Sequence, residues 1–268
     1  MKINLSKSLF ILPNLFTLSS VLCGFYAILL CTDQASAESF YQAALLIVFA
    51  MFFDTVDGRV ARLTKTQSQI GVQLDSLADV ISFGVAPAVL VYRWALSELG
   101  WVGLFVSFAY IAAGAIRLAR FNVLTTGASG APKKPGKYIA GLPIPAAAGI
   151  VVSLVVVDTL TGSLPGSPFF IVAVIATLGF FMVSTIRFRS FKDLRLSWRT
   201  GLFVVFAVGS TVFVAVRFRP ELALIWLLVA YVAIGIAEAL LGIARHLRRR
   251  ARPSADEGEP EGRSPLAD

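Results

Sequence analysis

The sequence predicts an all-α integral membrane protein with about eight transmembrane helices. Three observations carry this. Hydrophobic residues make up 57% of the chain and charged residues only 15%, where a soluble domain carries about 25% charge; mean hydropathy is +0.78. The apolar residues gather in runs close to the ~17–25 residues that a spanning helix needs. No alternation of the membrane-barrel kind is visible, which leaves helices as the spanning element.

Taken in order, the spans are predicted at 15–32, 40–63, 72–92, 99–118, 142–160, 169–186, 201–216 and 222–244. The first follows Lys2 and Lys7. It carries both cysteines, Cys23 and Cys31, too far apart on one helix to bridge. A basic start, an apolar run and Ala35-Ser36-Ala37 also resemble a cleavable leader, but the run is longer than a leader's apolar core. The second span runs into charge at Asp54, Asp57, Arg59 and Arg62, and the third begins after Gly71. The fourth ends at Arg117 and Arg120. The fifth opens on GLPIPAAAG after Lys133, Lys134 and Lys137. The sixth ends before Arg187, and the last two flank Arg217 and Arg219. Residues 1–13 then form a cytoplasmic N-terminal segment, 14–245 the transmembrane domain, and 246–268 a basic, then polar, disordered tail.

Basic residues fix the orientation. Lys2, Lys7, Arg59, Arg62, Lys65, Arg117, Arg120, Lys133, Lys134, Lys137, Arg187, Arg189, Lys192, Arg195, Arg199 and the tail cluster at 245–252 fall on one side; only Arg93, Arg217 and Arg219 fall on the other. Both termini are therefore expected in the cytoplasm, with the protein in the inner (plasma) membrane. The net charge of +8 follows from this bias and does not signal nucleic-acid binding.

Four aspartates interrupt the apolar pattern: Asp54, Asp57, Asp75 and Asp79. Each carboxylate near a bilayer centre costs roughly 2.5–3.5 kcal/mol, so a chain that keeps four together needs something for them to bind. Asp54, Asp57 and Ala61 share one helical face, and Asp75 and Asp79 stand one above the other on the next helix. Gly58 and Gly71 let backbone approach a ligand. Oxygen donors alone suit Mg²⁺ or Mn²⁺, and two such ions would balance four charges and clamp a diphosphate. Spacing alone leaves a second reading open, in which these carboxylates pair with Arg59, Arg62 and Lys65 at helix ends.

The run Asp54-x-x-Asp57-Gly58-x-x-Ala61-Arg62, eight residues, then Gly71-x-x-x-Asp75-x-x-x-Asp79 resembles the complete signature of the CDP-alcohol phosphotransferases. The resemblance implies that family's fold, and transfer of a substituted phosphate from a CDP-linked donor to an alcohol with release of CMP. It implies a membrane-embedded, metal-dependent and homodimeric enzyme. Carried over by position, Asp54, Asp57, Asp75 and Asp79 are metal ligands, and Asp79 is also the catalytic general base. Gly58, Ala61, Arg62 and Gly71 form the CDP site.

The flanks LPNLFTLSSVLCGFYAIL, LDSLADVISFGVAPA, RLARFNV and GLPIPAAAG are similar to the bacterial phosphatidylserine synthases of that family. This implies CDP-diacylglycerol as donor and L-serine as acceptor. Serine's carboxylate calls for a cation, ideally arginine. Arg120 and Asn122, at the cytoplasmic end of span four, and Lys137 are the acceptor candidates; anchoring at the membrane edge is the alternative reading of each. Rival acceptors are glycerol 3-phosphate and inositol phosphate. A cation transporter or channel is the rival of another class, although no acidic path continues across the membrane. The single histidine, His246, lies in an arginine run, and there is no nucleophile elbow or P-loop, which sets triads and nucleotide-loop chemistry aside.

Overall fold

The computed structural model describes residues 5–33, 36–64, 68–125, 138–162, 167–184 and 187–189. Among them run six helices: α1 Leu5–Asp33, α2 Ala37–Leu63, α3 Gln69–Leu99, α4 Trp101–Thr125, α5 Ile144–Thr161 and α6 Pro168–Val183. The helical expectation holds apart from one small ladder. Strand β1, Tyr138–Ala140, pairs antiparallel with β2, Arg187–Arg189.

Four helices contain stretches long and apolar enough to cross a membrane: Asn14–Asp33, Ala37–Ala61, Gln69–Leu99 and Trp101–Leu124. They belong to the first four predicted spans. The fifth and sixth correspond to the shorter apolar helices Ile144–Leu160 and Pro168–Val183. The seventh and eighth, at 201–216 and 222–244, lie outside the described residues. The chain is a multi-pass membrane protein. Its third and fourth helices outrun their predicted spans, because charged residues end an apolar window without ending a helix. Arg120, beyond the predicted end at 118, is thus inside α4.

Local chemistry places the helix ends. Ser36 starts α2 by accepting the Ser39 N–H at 3.1 Å, and Ser68 starts α3 by accepting the Gly71 N–H at 2.9 Å; both satisfy donors that a helix start leaves unpaired. A single residue, Gly100, with φ +55°, joins α3 to α4. Arg93 Nε donates to the Cys31 carbonyl at the end of α1 at 3.0 Å, and Trp94 Nε1 donates to Asp158 on α5 at 2.8 Å.

Helix α3 is not uniform. Val80–Val85 and Tyr92–Leu96 take wider π turns. Pro87 explains the first, since it has no N–H for the Phe83 carbonyl and its ring crowds that turn. The freed carbonyl accepts the buried Tyr110 hydroxyl from α4 at 3.1 Å. In a membrane such neighbours are what make a helical proline tolerable.

Small side chains draw α1, α2 and α3 together. Ala27, Ala43, Ala44 and Ala50 are buried with Cys31 and Ile47, and small residues let membrane helices approach closely. At Gly24 a Cβ would come within 2.8 Å of Ser82 Cα. Ser82 Oγ in turn donates to the Ser20 carbonyl at 3.0 Å. Outward-facing Leu18, Leu22, Phe25, Phe105 and Phe108 are exposed, as expected of side chains that meet lipid.

Candidate active site

The aspartates occupy the end of α2 and the start of α3, with α1 and α4 on either side. On α2, Asp57 is only 4% exposed and accepts a 2.6 Å hydrogen bond from Thr17 Oγ1 of α1. Bonds of this kind to a charged group contribute about 1.5–3 kcal/mol. Ligand oxygens of Asp54, Asp57 and Asp75 lie within 4.8 Å of one another. Asp79 falls outside that group, one turn further along α3. Its Oδ1 is buried with no hydrogen-bond partner. The charges of Asp54, Asp75 and Asp57 reach it, and so does that of Arg117 on α4, which is 7% exposed.

Like charges this close in a poorly solvated setting demand a counter-charge. The donor set fits a divalent cation. Mg²⁺ binds oxygens at ~2.1 Å, so opposite ligands of one ion stand ~4.2 Å apart, and the three-carboxylate group is close to that span. The oxygen-only donors and the orphaned Asp79 Oδ1 agree with the same reading.

Gly58 and Ala61 are half-buried on the last turns of α2, where Arg62 also lies. Gly71 is in the first turn of α3, where a Cβ would stand 3.1 Å from Ser68 Oγ and 3.8 Å from Asn14 Oδ1. Asn122 Nδ2 donates to Ser76 Oγ, next to Asp75, at 2.9 Å. Arg120 donates to the Val183 and Ser184 carbonyls at 2.7 and 3.0 Å, which fastens α4 to the end of α6. Beside it Gly141 has φ +81°, and a Cβ there would collide with the Met182 carbonyl. Lys137, with Lys133 and Lys134, lies outside the described residues.

Three participants escaped sequence reasoning. Asn14 and Thr17 belong to the quoted segment LPNLFT, and their i, i+3 spacing on an apolar helix was the available signal. Arg117 stands beside Arg120 and Asn122 at the cytoplasmic end of span four, but nothing in the sequence singles it out from them.

The fold, the paired-helix aspartates and the signature spacing agree with a membrane-embedded phosphotransferase. Residues 10–185 match the family model for CDP-alcohol phosphatidyltransferase, and the chain belongs to that family. It is 41% identical over 230 residues, 85% of this chain and 90% of the relative, to a CDP-diacylglycerol–serine O-phosphatidyltransferase of Helicobacter pylori (strain ATCC 700392 / 26695). It is 33% identical to the Bacillus subtilis (strain 168) protein of the same name, over 68% of this chain and 91% of the relative. An archaetidylserine synthase of Methanothermobacter thermautotrophicus is 41% identical over 51% of this chain and 54% of its own.

Proposed function

We propose that this protein transfers the phosphatidyl group of CDP-diacylglycerol to the hydroxyl of L-serine, giving phosphatidylserine and CMP. One observation carries the reading: a complete signature of four aspartates, gathered where α2 meets α3, in a chain 41% identical over 85% of its length to a serine O-phosphatidyltransferase. Asp79 takes the proton from the serine hydroxyl, whose oxygen attacks the β-phosphorus as the bond to CMP breaks. Asp54, Asp57 and Asp75, with Asp79, would hold two divalent cations, Mg²⁺ or Mn²⁺. When bound, these neutralise the diphosphate and stabilise the departing CMP.

Gly58, Ala61, Arg62 and Gly71 receive the CDP moiety. Arg120, Asn122 and Lys137 serve the acceptor, and Arg117 joins them because its charge reaches Asp79. The protein acts as a homodimer among the lipids of the inner membrane, with both termini and the active site facing the cytoplasm.

The test offers radiolabelled serine, glycerol 3-phosphate and inositol phosphate in parallel to purified protein with CDP-diacylglycerol. Serine incorporation with CMP release, dependent on Mg²⁺ or Mn²⁺, is expected. Consumption of glycerol 3-phosphate without serine would overturn the acceptor, and full activity after exhaustive chelation would overturn the metal requirement.

A further inference from the structure

Helix α1 lies outside the aspartate signature, yet one face of it keeps meeting the site. Asn14 stands against Gly71, Thr17 binds Asp57, Ser20 is bonded to Ser82, and Gly24 packs against the Ser82 backbone. Their spacing of three to four residues puts all four on one stripe. The stripe holds α1 in register with both helices that carry aspartates.

Thr17 has a specific place in it. Hydroxyls of Ser19, Thr55 and Ser76 turn back onto carbonyls of their own helices, the usual habit of such residues. That of Thr17 crosses to Asp57 Oδ2 at 2.6 Å, between residues forty apart in the chain and both buried. With Oδ2 held, the plane of the Asp57 carboxylate is fixed, and rotation that would take it out of the group with Asp54 and Asp75 is opposed.

We propose that Thr17 is a positioning residue, orienting the Asp57 carboxylate for divalent-cation binding. Groups that hydrogen-bond to metal-binding carboxylates typically contribute about 10–100-fold to metal affinity. The proposal rests on the cation reading of the aspartates.

Mn²⁺ titration of the purified full-length protein in detergent, followed by electron paramagnetic resonance without substrate, tests it. Thr17→Val, nearly equal in shape, is expected to weaken Mn²⁺ binding about 10–100-fold, while Thr17→Ser stays close to wild type. Wild-type affinity in Thr17→Val would overturn the proposal, and so would equal losses in both variants, which would make the position one of packing. Should Thr17→Val fail to fold, Thr17→Ser and Thr17→Cys decide, being similar in size: serine retains affinity and cysteine loses it, and equal affinities overturn the role. Absence of Mn²⁺ binding by wild type would instead remove the cation reading itself, and Thr17's role with it.

Discussion

Asp79 is asked to do two opposing things if it both ligates a cation and accepts a proton, because ligation withdraws basicity. The structure sets it apart from the group formed by Asp54, Asp57 and Asp75. That arrangement favours the proton-accepting part. Asp79→Asn is expected to reduce transfer by about 10²–10⁴-fold or more with the protein still folded by circular dichroism; near-wild-type turnover would take Asp79 out of the chemistry. Arg120 poses a different question, since two of its donors already serve the carbonyls of Val183 and Ser184. Arg120→Ala is expected to lower the melting temperature and to raise KM for serine, while CDP-diacylglycerol binding is spared. A change confined to melting temperature would make Arg120 a clamp on α6 and nothing more. The aspartates were readable from sequence because their partners lie within one helical turn or on the adjacent helix. The pair of hydrogen bonds from Arg120 was not, because its acceptors are more than sixty residues away and no local pattern encodes them.

At the scale of elements, the π segment Val80–Val85 begins directly after Asp79. Its wider turn resets the face that every later residue of α3 presents, relative to the aspartates before it. Pro87 leaves the Phe83 carbonyl open and Tyr110 closes it. Removing that hydroxyl strands a buried acceptor, typically at a cost of about 1–3 kcal/mol. Tyr110→Phe is therefore expected to lower stability by that amount and to reduce kcat, measured together by thermal unfolding and turnover. Unchanged values for both would show that the segment is held without Tyr110. GVAPA announced this departure only as a proline in an apolar run. Apolar periodicity locates a span but is blind to a local change in helical pitch, because every side of a buried helix is apolar.

For the molecule as a whole, the basic-residue asymmetry remains the guide to orientation. In a background with Cys23 and Cys31 replaced by alanine, single cysteines at Ser36 and Ser254 are expected to react from opposite sides of the membrane. Labelling of both from one side would overturn the eight-span topology. The hydropathy pattern located six of the helices because insertion depends on local composition. It ended α4 at 118, whereas the helix runs on to Thr125, with Arg117 buried and Arg120 bonded to the Val183 and Ser184 carbonyls. The β1–β2 ladder was unreadable for a related reason, as three-residue strands carry no periodicity of their own.

The lone residue joining α3 to α4 makes the two helices a pair of long arms on one pivot. Close to the pivot, α3 is tied by Trp94 to Asp158 and by Arg93 to the Cys31 carbonyl. Asp79 lies about 30 Å along one arm from that pivot at 1.5 Å per residue. Tilting the arm by two degrees would shift the carboxylate by about 1 Å, and displacements of that size cost on the order of 100-fold in rate. Gly100, with φ +55° and ψ −122°, is a conformation that a side chain adopts only under strain of about 1–3 kcal/mol. Gly100→Ala is thus expected to depress kcat from the opposite face of the membrane, measured as turnover at saturating serine and CDP-diacylglycerol. Undiminished turnover would mean that the arms bend before they swing. A depressed kcat would instead make this distant glycine a rate-sensitive position through mechanical leverage and not proximity.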